Sequence, residues 1–162
     1  MSWTPELALA LALIIPLIGG AGVLLLGRHP NLREAVTLVS AVALAIVVAY
    51  LVEAAAQRPT LTLVEFAPGL TLTFTLEPLG AVFAMVASGL WIVNSLYSIA
   101  YMRGNGERDQ TRFYFCFCIS IASAMGIALA GNLITLFFFY EALTLSTYPL
   151  VAHKGDAKAK KG

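Results

Sequence analysis

Glu141 is the residue of this sequence best placed to do chemistry. It lies in "GNLITLFFFYEALTLSTYPLVAHKG", ninth in the otherwise uncharged run Leu133–Ala152. In a membrane helix of that length its Cα falls roughly 2 to 3 Å from the midplane. An unpaired charge there costs roughly 2.5 to 3.5 kcal/mol on insertion scales, so a carboxyl at that depth either keeps its proton or finds a partner. Thr144 at i+3 and Tyr148 at i+7 share its helix face and make a polar stripe with it. Two chemistries fit this pattern. One is a proton or cation relay, the default role for an ionisable group inside a membrane. The other is a protonated carboxyl that docks a neighbouring helix through a hydrogen bond. The other eight acidic residues, Glu6, Glu34, Glu53, Glu65, Glu77, Glu107, Asp109 and Asp156, are expected in loops or at span ends. No predicted span carries a Lys, Arg or His at Glu141's depth, and His153 and Lys154 are about three turns away. Either the carboxyl stays protonated or its basic partner lies outside these residues, in a partner subunit or further chain.

The elements that must hold this stripe are predicted to be membrane helices. Of 162 residues, 59% are hydrophobic and 12% charged, and the mean hydropathy is +0.84. Those values exclude an ordinary water-soluble domain, and a net charge of +1 gives no sign of a nucleic-acid partner. Crossing a bilayer takes about 20 residues at 1.5 Å rise. Five runs qualify: Leu7–Leu26, Ala35–Val52, Leu79–Tyr101, Phe113–Ala130 and Leu133–Ala152. The first lacks the basic flank and A-x-A site of a signal peptide and is expected to be retained as a span. The last two are separated by "GN" at 131 and 132, which allows a tight antiparallel turn or, failing that, one bent helix. Between the second and third runs the period changes to two. Leu61, Leu63, Leu70, Leu72, Phe74 and Leu76 alternate with threonines around the turn signal "APGL". The fold class is therefore an all-α integral membrane domain over residues 1–162, with five transmembrane helices and a short extramembrane β-hairpin at about 59–77 between helices 2 and 3. Pro78 is expected to open the third helix, where its missing N–H costs nothing.

Other polar or reactive residues have simpler expectations. Asn94, Ser95, Tyr97 and Ser98 suggest an interhelical hydrogen-bonding face, and Ser120, Ala124 and Ala128 a close-packing row. Cys116 and Cys118, two apart in an apolar run, point to different helix faces and are expected to be packing residues. Pro149 cannot donate to the carbonyl of Leu145, so it loosens the last turn, either as an ordinary helix end or as a hinge. "YMRGNGERDQTRF" has no phosphate-loop pattern and is expected to be a solvated loop. No cofactor or metal site is expected, because no second Cys/His cluster exists and no nucleophile constellation appears.

"LEPLGAVFAMVASGLWIVNSLYSIAYM", "RFYFCFCISI" and above all "FFFYEALTLSTYPLVAHKG" resemble the proton-conducting antiporter-like membrane subunit family. That family includes the D-type subunits of Mrp-type multisubunit cation/proton antiporters, to which the likeness is strongest. It also includes the L-, M- and N-type subunits of NADH-quinone oxidoreductase, and membrane subunits of formate hydrogenlyase-type complexes. The resemblance covers essentially the whole chain. It implies that Glu141 is the family's span-five glutamate, which pairs with a lysine on a later, broken helix, and that the pair titrates as a unit. Family members carry many more spans than five, so the resemblance also implies an N-terminal fragment of a larger subunit. The partners it implies are the lipid bilayer, other subunits of a membrane complex, protons and a monovalent cation. Two other readings stay open: a proton-pumping subunit of a quinone oxidoreductase or hydrogenase-type complex, and a structural membrane protein without transport.

Basic residues set orientation. With five spans, nine of the ten Lys and Arg residues share one side: Arg28, Arg33, Arg103, Arg108, Arg112, Lys154, Lys158, Lys160 and Lys161. Arg58 alone accompanies the N-terminus, the hairpin and the "GN" turn. The expected location is the cell (inner) membrane, with the N-terminus outside and the Lys-rich tail in the cytoplasm. A reporter active only in the cytoplasm is predicted to be active when fused after Gly162 and silent when fused near Pro68. The reverse pattern would overturn this topology.

Overall fold

The computed structural model describes residues 4–107 and 109–151. Proline sits at the start of each of the first three helices, where a missing N–H leaves nothing unsatisfied: α1 (Pro5–Leu25), α2 (Pro30–Ala54) and α3 (Pro78–Gly104). Thr4 adds a side-chain cap to α1, its hydroxyl accepting from the Leu7 N–H at 3.4 Å. Helices α4 (Gln110–Ala128) and α5 (Leu133–Val151) follow. All five are long and apolar enough to cross a membrane. The five predicted spans thus correspond one to one with helices. The largest boundary difference is at α2, which begins five residues before Ala35 because Pro30 opens it. Arg33 and Glu34 therefore lie inside it, at the end of its first turn and the start of its second, both about nineteen-twentieths buried, rather than in a charged loop.

Helices α1 to α4 close into a ring, each packed against the next and α4 returning to α1, while α5 lies outside the ring against α4. Small residues let the backbones approach. A Cβ on Gly19 of α1 would come within 2.6 Å of the Ser40 hydroxyl on α2, and one on Gly126 of α4 would overlap the Phe139 ring of α5. The predicted small-residue row on α4 divides between neighbours: Ser120 bonds to Ser146 of α5 at 2.9 Å, whereas the Ala128 carbonyl lies against Gly80 of α3. Cys118 is fully buried and faces Gly20 of α1, while Cys116 is half-buried, and both are free thiols. Pro149 does not end α5, which continues through Val151.

Strands β1 (Thr60–Ala67) and β2 (Leu70–Thr75) form the antiparallel hairpin between α2 and α3. Gly69 turns it at φ +83°, the left-handed position a Pro-Gly turn requires. Threonines face one another across the pair, Thr60 with Thr75 and Thr62 with Thr73, each at 3.2 Å. The alternation expected from sequence is broken twice, between Thr62 and Val64 and between Glu65 and Ala67, where the register slips. These bulges leave Leu63, Val64 and Phe66 exposed, while Phe74 and Leu76 are fully buried.

The hairpin is tied to the connection between α4 and α5, which runs from Leu129 to Asn132 and is a true turn between antiparallel helices. Thr75 N–H donates to the Leu129 carbonyl and Gly131 N–H to the Thr73 carbonyl, both at 2.8 Å. Asn132 works in two directions. Its side-chain carbonyl caps α5 by accepting from Thr135 N–H at 2.8 Å, and its amide donates to the Thr71 carbonyl at 2.8 Å. Thr135, fully buried, accepts from Thr73 N–H at 3.0 Å. Hairpin and turn therefore lie at one end of the bundle, as the five-span reading requires. Asn132→Ala removes the cap and the strand contact together and is expected to destabilise the protein by about 1 to 2 kcal/mol. A lowered unfolding midpoint in detergent checks this, with Asn132→Asp, which keeps the cap, falling between the two.

Candidate functional site

One stripe of α5 faces α4: Thr135, Phe139, Ala142 and Ser146, spaced four, three and four residues apart. Thr135 and Ser146 are its buried members, the Phe139 ring covers Gly126, and Ala142 faces a groove over α4 together with Ile119 and Ser123. The buried Ser120–Ser146 hydrogen bond fixes the rotation of α5 about its axis. That rotation turns Glu141 away from α4. Glu141, Thr144 and Tyr148 share one exposed face, with Tyr140 and Phe137 beside them, and Tyr148 is 69% exposed. Of the five helices α5 is the least covered, only 11% of its apolar window being buried. Glu141 sits at the middle of α5, eight residues after Leu133 and ten before Val151.

The hydroxyls of α5 largely satisfy themselves. Thr144 donates to the Tyr140 carbonyl at 3.0 Å, and Thr147 to the Leu143 carbonyl at 2.9 Å. With its proton committed, the Thr144 hydroxyl has only lone pairs left to offer a neighbouring group. Tyr148, seven residues on, is about 10 Å further along the axis and extends the stripe without touching Glu141. Among the described residues no basic side chain pairs with Glu141. His153 and Lys154, with the rest of the Lys-rich tail, lie outside the described residues.

A second polar assembly, not anticipated from sequence, closes the opposite end of the helix ring. Arg103 at the end of α3 grips Glu34 of α2 in a fork, Nε to Oε1 at 3.0 Å and an Nη to Oε2 at 2.5 Å, and also reaches Asn31. Arg33 donates to Gln110 at 2.6 Å and to Thr111 at 3.1 Å, at the start of α4, and its guanidinium lies 5.2 Å from the Tyr114 ring centroid. The Glu34 carboxylate thus compensates two arginines where three helices meet. Pro30 is the signal in the sequence that could have found it: as the first helical residue it puts Arg33 and Glu34 one turn inside α2. The polar face predicted on α3 divides. Ser95 and Ser98 point inward, whereas Tyr97 is exposed and stacks on Tyr101.

Comparison with known proteins begins with a negative result, since no protein-family model matches the chain. Sequence relatives are found nonetheless. Na(+)/H(+) antiporter subunit A1 from Staphylococcus aureus strain JH9, and the same protein from strain Newman, are each 28% identical over 92 residues, or 56% of this chain. The matched stretch is 11% of each relative, so the chain aligns with about a tenth of their length. These relatives are A-type subunits, whereas the sequence resemblance pointed to the D type. A solved structure with the same fold is the membrane-bound sulfane sulfur reductase, an archaeal respiratory membrane complex, with a TM-score of 0.82 at 17% identity. That superposition covers 94% of this chain and 32% of the solved one. Homology to the antiporter protein, joined to a five-helix fold shared with the respiratory complex, supports a place for this chain among the antiporter-like membrane subunits.

Proposed function

We propose that this chain works as part of a larger antiporter-like subunit in a multisubunit monovalent cation/proton antiporter, with Glu141 as an intramembrane relay for protons. The observation that carries this reading is the placement of Glu141: an ionisable group at the middle of α5, on an exposed face of the least covered helix. A carboxyl left toward hydrocarbon is costly, and a face that presents it beside Thr144 and Tyr148 is suited to another helix bearing a basic group. A proton can then move onto or off Glu141 as charge changes on that partner, because two close titratable groups behave as one unit. The antiporter relatives supply the cation-exchange half of the proposal. In this arrangement the Arg33–Glu34–Arg103 end faces the cytoplasm and the hairpin faces outward, following the basic-residue asymmetry.

A second reading has its own support in the fold shared with a respiratory membrane complex: the same relay could be driven by a redox reaction in partner subunits rather than by a cation gradient. The two make different demands on a transport assay. Cation-dependent proton movement in vesicles without an electron donor belongs to the first, and donor-dependent movement without added cation to the second.

Glu141→Gln keeps the side chain's shape and removes its titration. In the assembled complex it is predicted to reduce proton-coupled transport to near background while leaving the amount of assembled protein unchanged. Glu141→Asp, which keeps the charge on a shorter stem, should retain partial transport. Wild-type transport by Glu141→Gln would show that the carboxyl serves only to dock a helix.

A further inference from the structure

Among the described residues, four buried side-chain polar atoms have no hydrogen-bond partner: Trp91 Nε1 and Ser95 Oγ on α3, the Tyr114 hydroxyl on α4, and Arg33 Nε on α2. Their residues are 4% exposed or less. Helical register gives their order along the bundle axis. Gln110 donates to the Met102 carbonyl at 3.2 Å, so one turn deeper Tyr114 of α4 comes level with Ser98 of α3. The Arg103–Glu34 fork sets α2 against α3 in the same way and brings Ala41 level with Leu96, next to Ser95. From the charged end inward the order is Arg33, Tyr114, Ser95, Trp91. Trp91 is the central residue of the 27-residue α3, so the line ends at half depth.

These groups are not easily satisfied by their own helices. Ser88, Ser120 and Ser123 each donate to a carbonyl of the preceding turn, whereas Ser95 does not. An indole N–H and an arginine Nε–H only donate, so two of the four need an acceptor brought to them. Native interiors rarely leave such donors unmatched, and a bound water, which accepts and donates together, is the usual partner. We propose that the unpartnered atoms of Arg33, Tyr114, Ser95 and Trp91, on α2, α3 and α4, bind a short file of water that enters past the Glu34–Arg103 fork and ends at mid-membrane. Arg103 is the exposed member of that fork, with 48% of its side chain open, and makes the mouth. The file runs inside the ring, with α4 between it and α5, so it is separate from the Glu141 face and does not depend on the role proposed for Glu141.

X-ray radiolysis of the assembled protein in lipid nanodiscs tests this, because hydroxyl radicals formed from bound water oxidise the side chains beside it. Met125 is the control: it is fully buried and its thioether is itself highly reactive. Trp91 and Tyr114 are expected to be oxidised several-fold faster than Met125, and Ser95→Ala is expected to lower labelling at Trp91 while leaving Met125 unchanged. Trp91 and Tyr114 as inert as Met125 would mean a dry interior and would overturn the proposal. Equal labelling by radicals generated in bulk solvent would overturn it as well, by showing an open crevice. The comparison of Trp91 with Met125 needs no variant, so it decides the matter even where Ser95→Ala fails to assemble.

Discussion

Every backbone and side-chain polar group placed in hydrocarbon must be satisfied within the protein, and this constraint accounts for the arrangement of the whole chain. Charges withdraw to the two ends of the bundle. At one end Glu34 compensates Arg33 and Arg103; at the other, threonine and asparagine side chains bind the hairpin to the α4–α5 turn. Helix hydroxyls turn back on their own carbonyls, as at Ser88, Ser120, Ser123 and Thr144. Against that background the departures are few, and they gather in two places: Glu141 on the outer helix, and the unpartnered atoms of Trp91, Ser95, Tyr114 and Arg33 within the ring.

The asymmetry between the ring and α5 is the second organising feature. Helices α1 to α4 each have at least two helical neighbours, so more of their apolar surface is covered than that of α5. Helix α5 meets α4 along one stripe and the hairpin at one end. Its outer face carries Phe137, Tyr140, Leu145, Tyr148 and Val151, all exposed, around the lone carboxyl. Lipid can cover the apolar members of that set but gives the carboxyl no hydrogen-bond partner, which is why the face points to a neighbouring helix more than to bilayer.

Much of this was legible in the sequence. The five spans, the hairpin, its Pro-Gly turn and the central place of Glu141 in its helix follow from run length, period and charge count, because hydrophobic burial leaves a direct imprint on residue order. Three things were not legible. The first turn of α2 was lost because Arg33 and Glu34 look like loop residues until their partners Gln110 and Arg103, some seventy positions away, are known. The bulges in β1 were invisible because alternation predicts an unbroken pleat. The direction Glu141 faces could not be read from spacing, since the rotation of α5 is set by the fit of Phe139 over Gly126 and by the Ser120–Ser146 bond, both contacts between helices.

The sheet-like seam between β2 and the α4–α5 turn also constrains how α5 can move. Backbone bonds with Thr73 and Thr75 hold the connection that leads into α5, while the two-way clasp of Asn132 and the Thr73–Thr135 bond hold its first turn. Toward the far end a side-chain bond, Ser146 to Ser120 of α4, replaces that clasp, and beyond it Pro149 removes one rung of the ladder. A rod pinned at one end and compliant at the other moves as a lever. Any tilt of α5 pivots at the hairpin, grows with distance from it, and displaces Glu141 by about half as much as the tip, so a push at the Pro149 end is geared down to a finer step at the carboxyl.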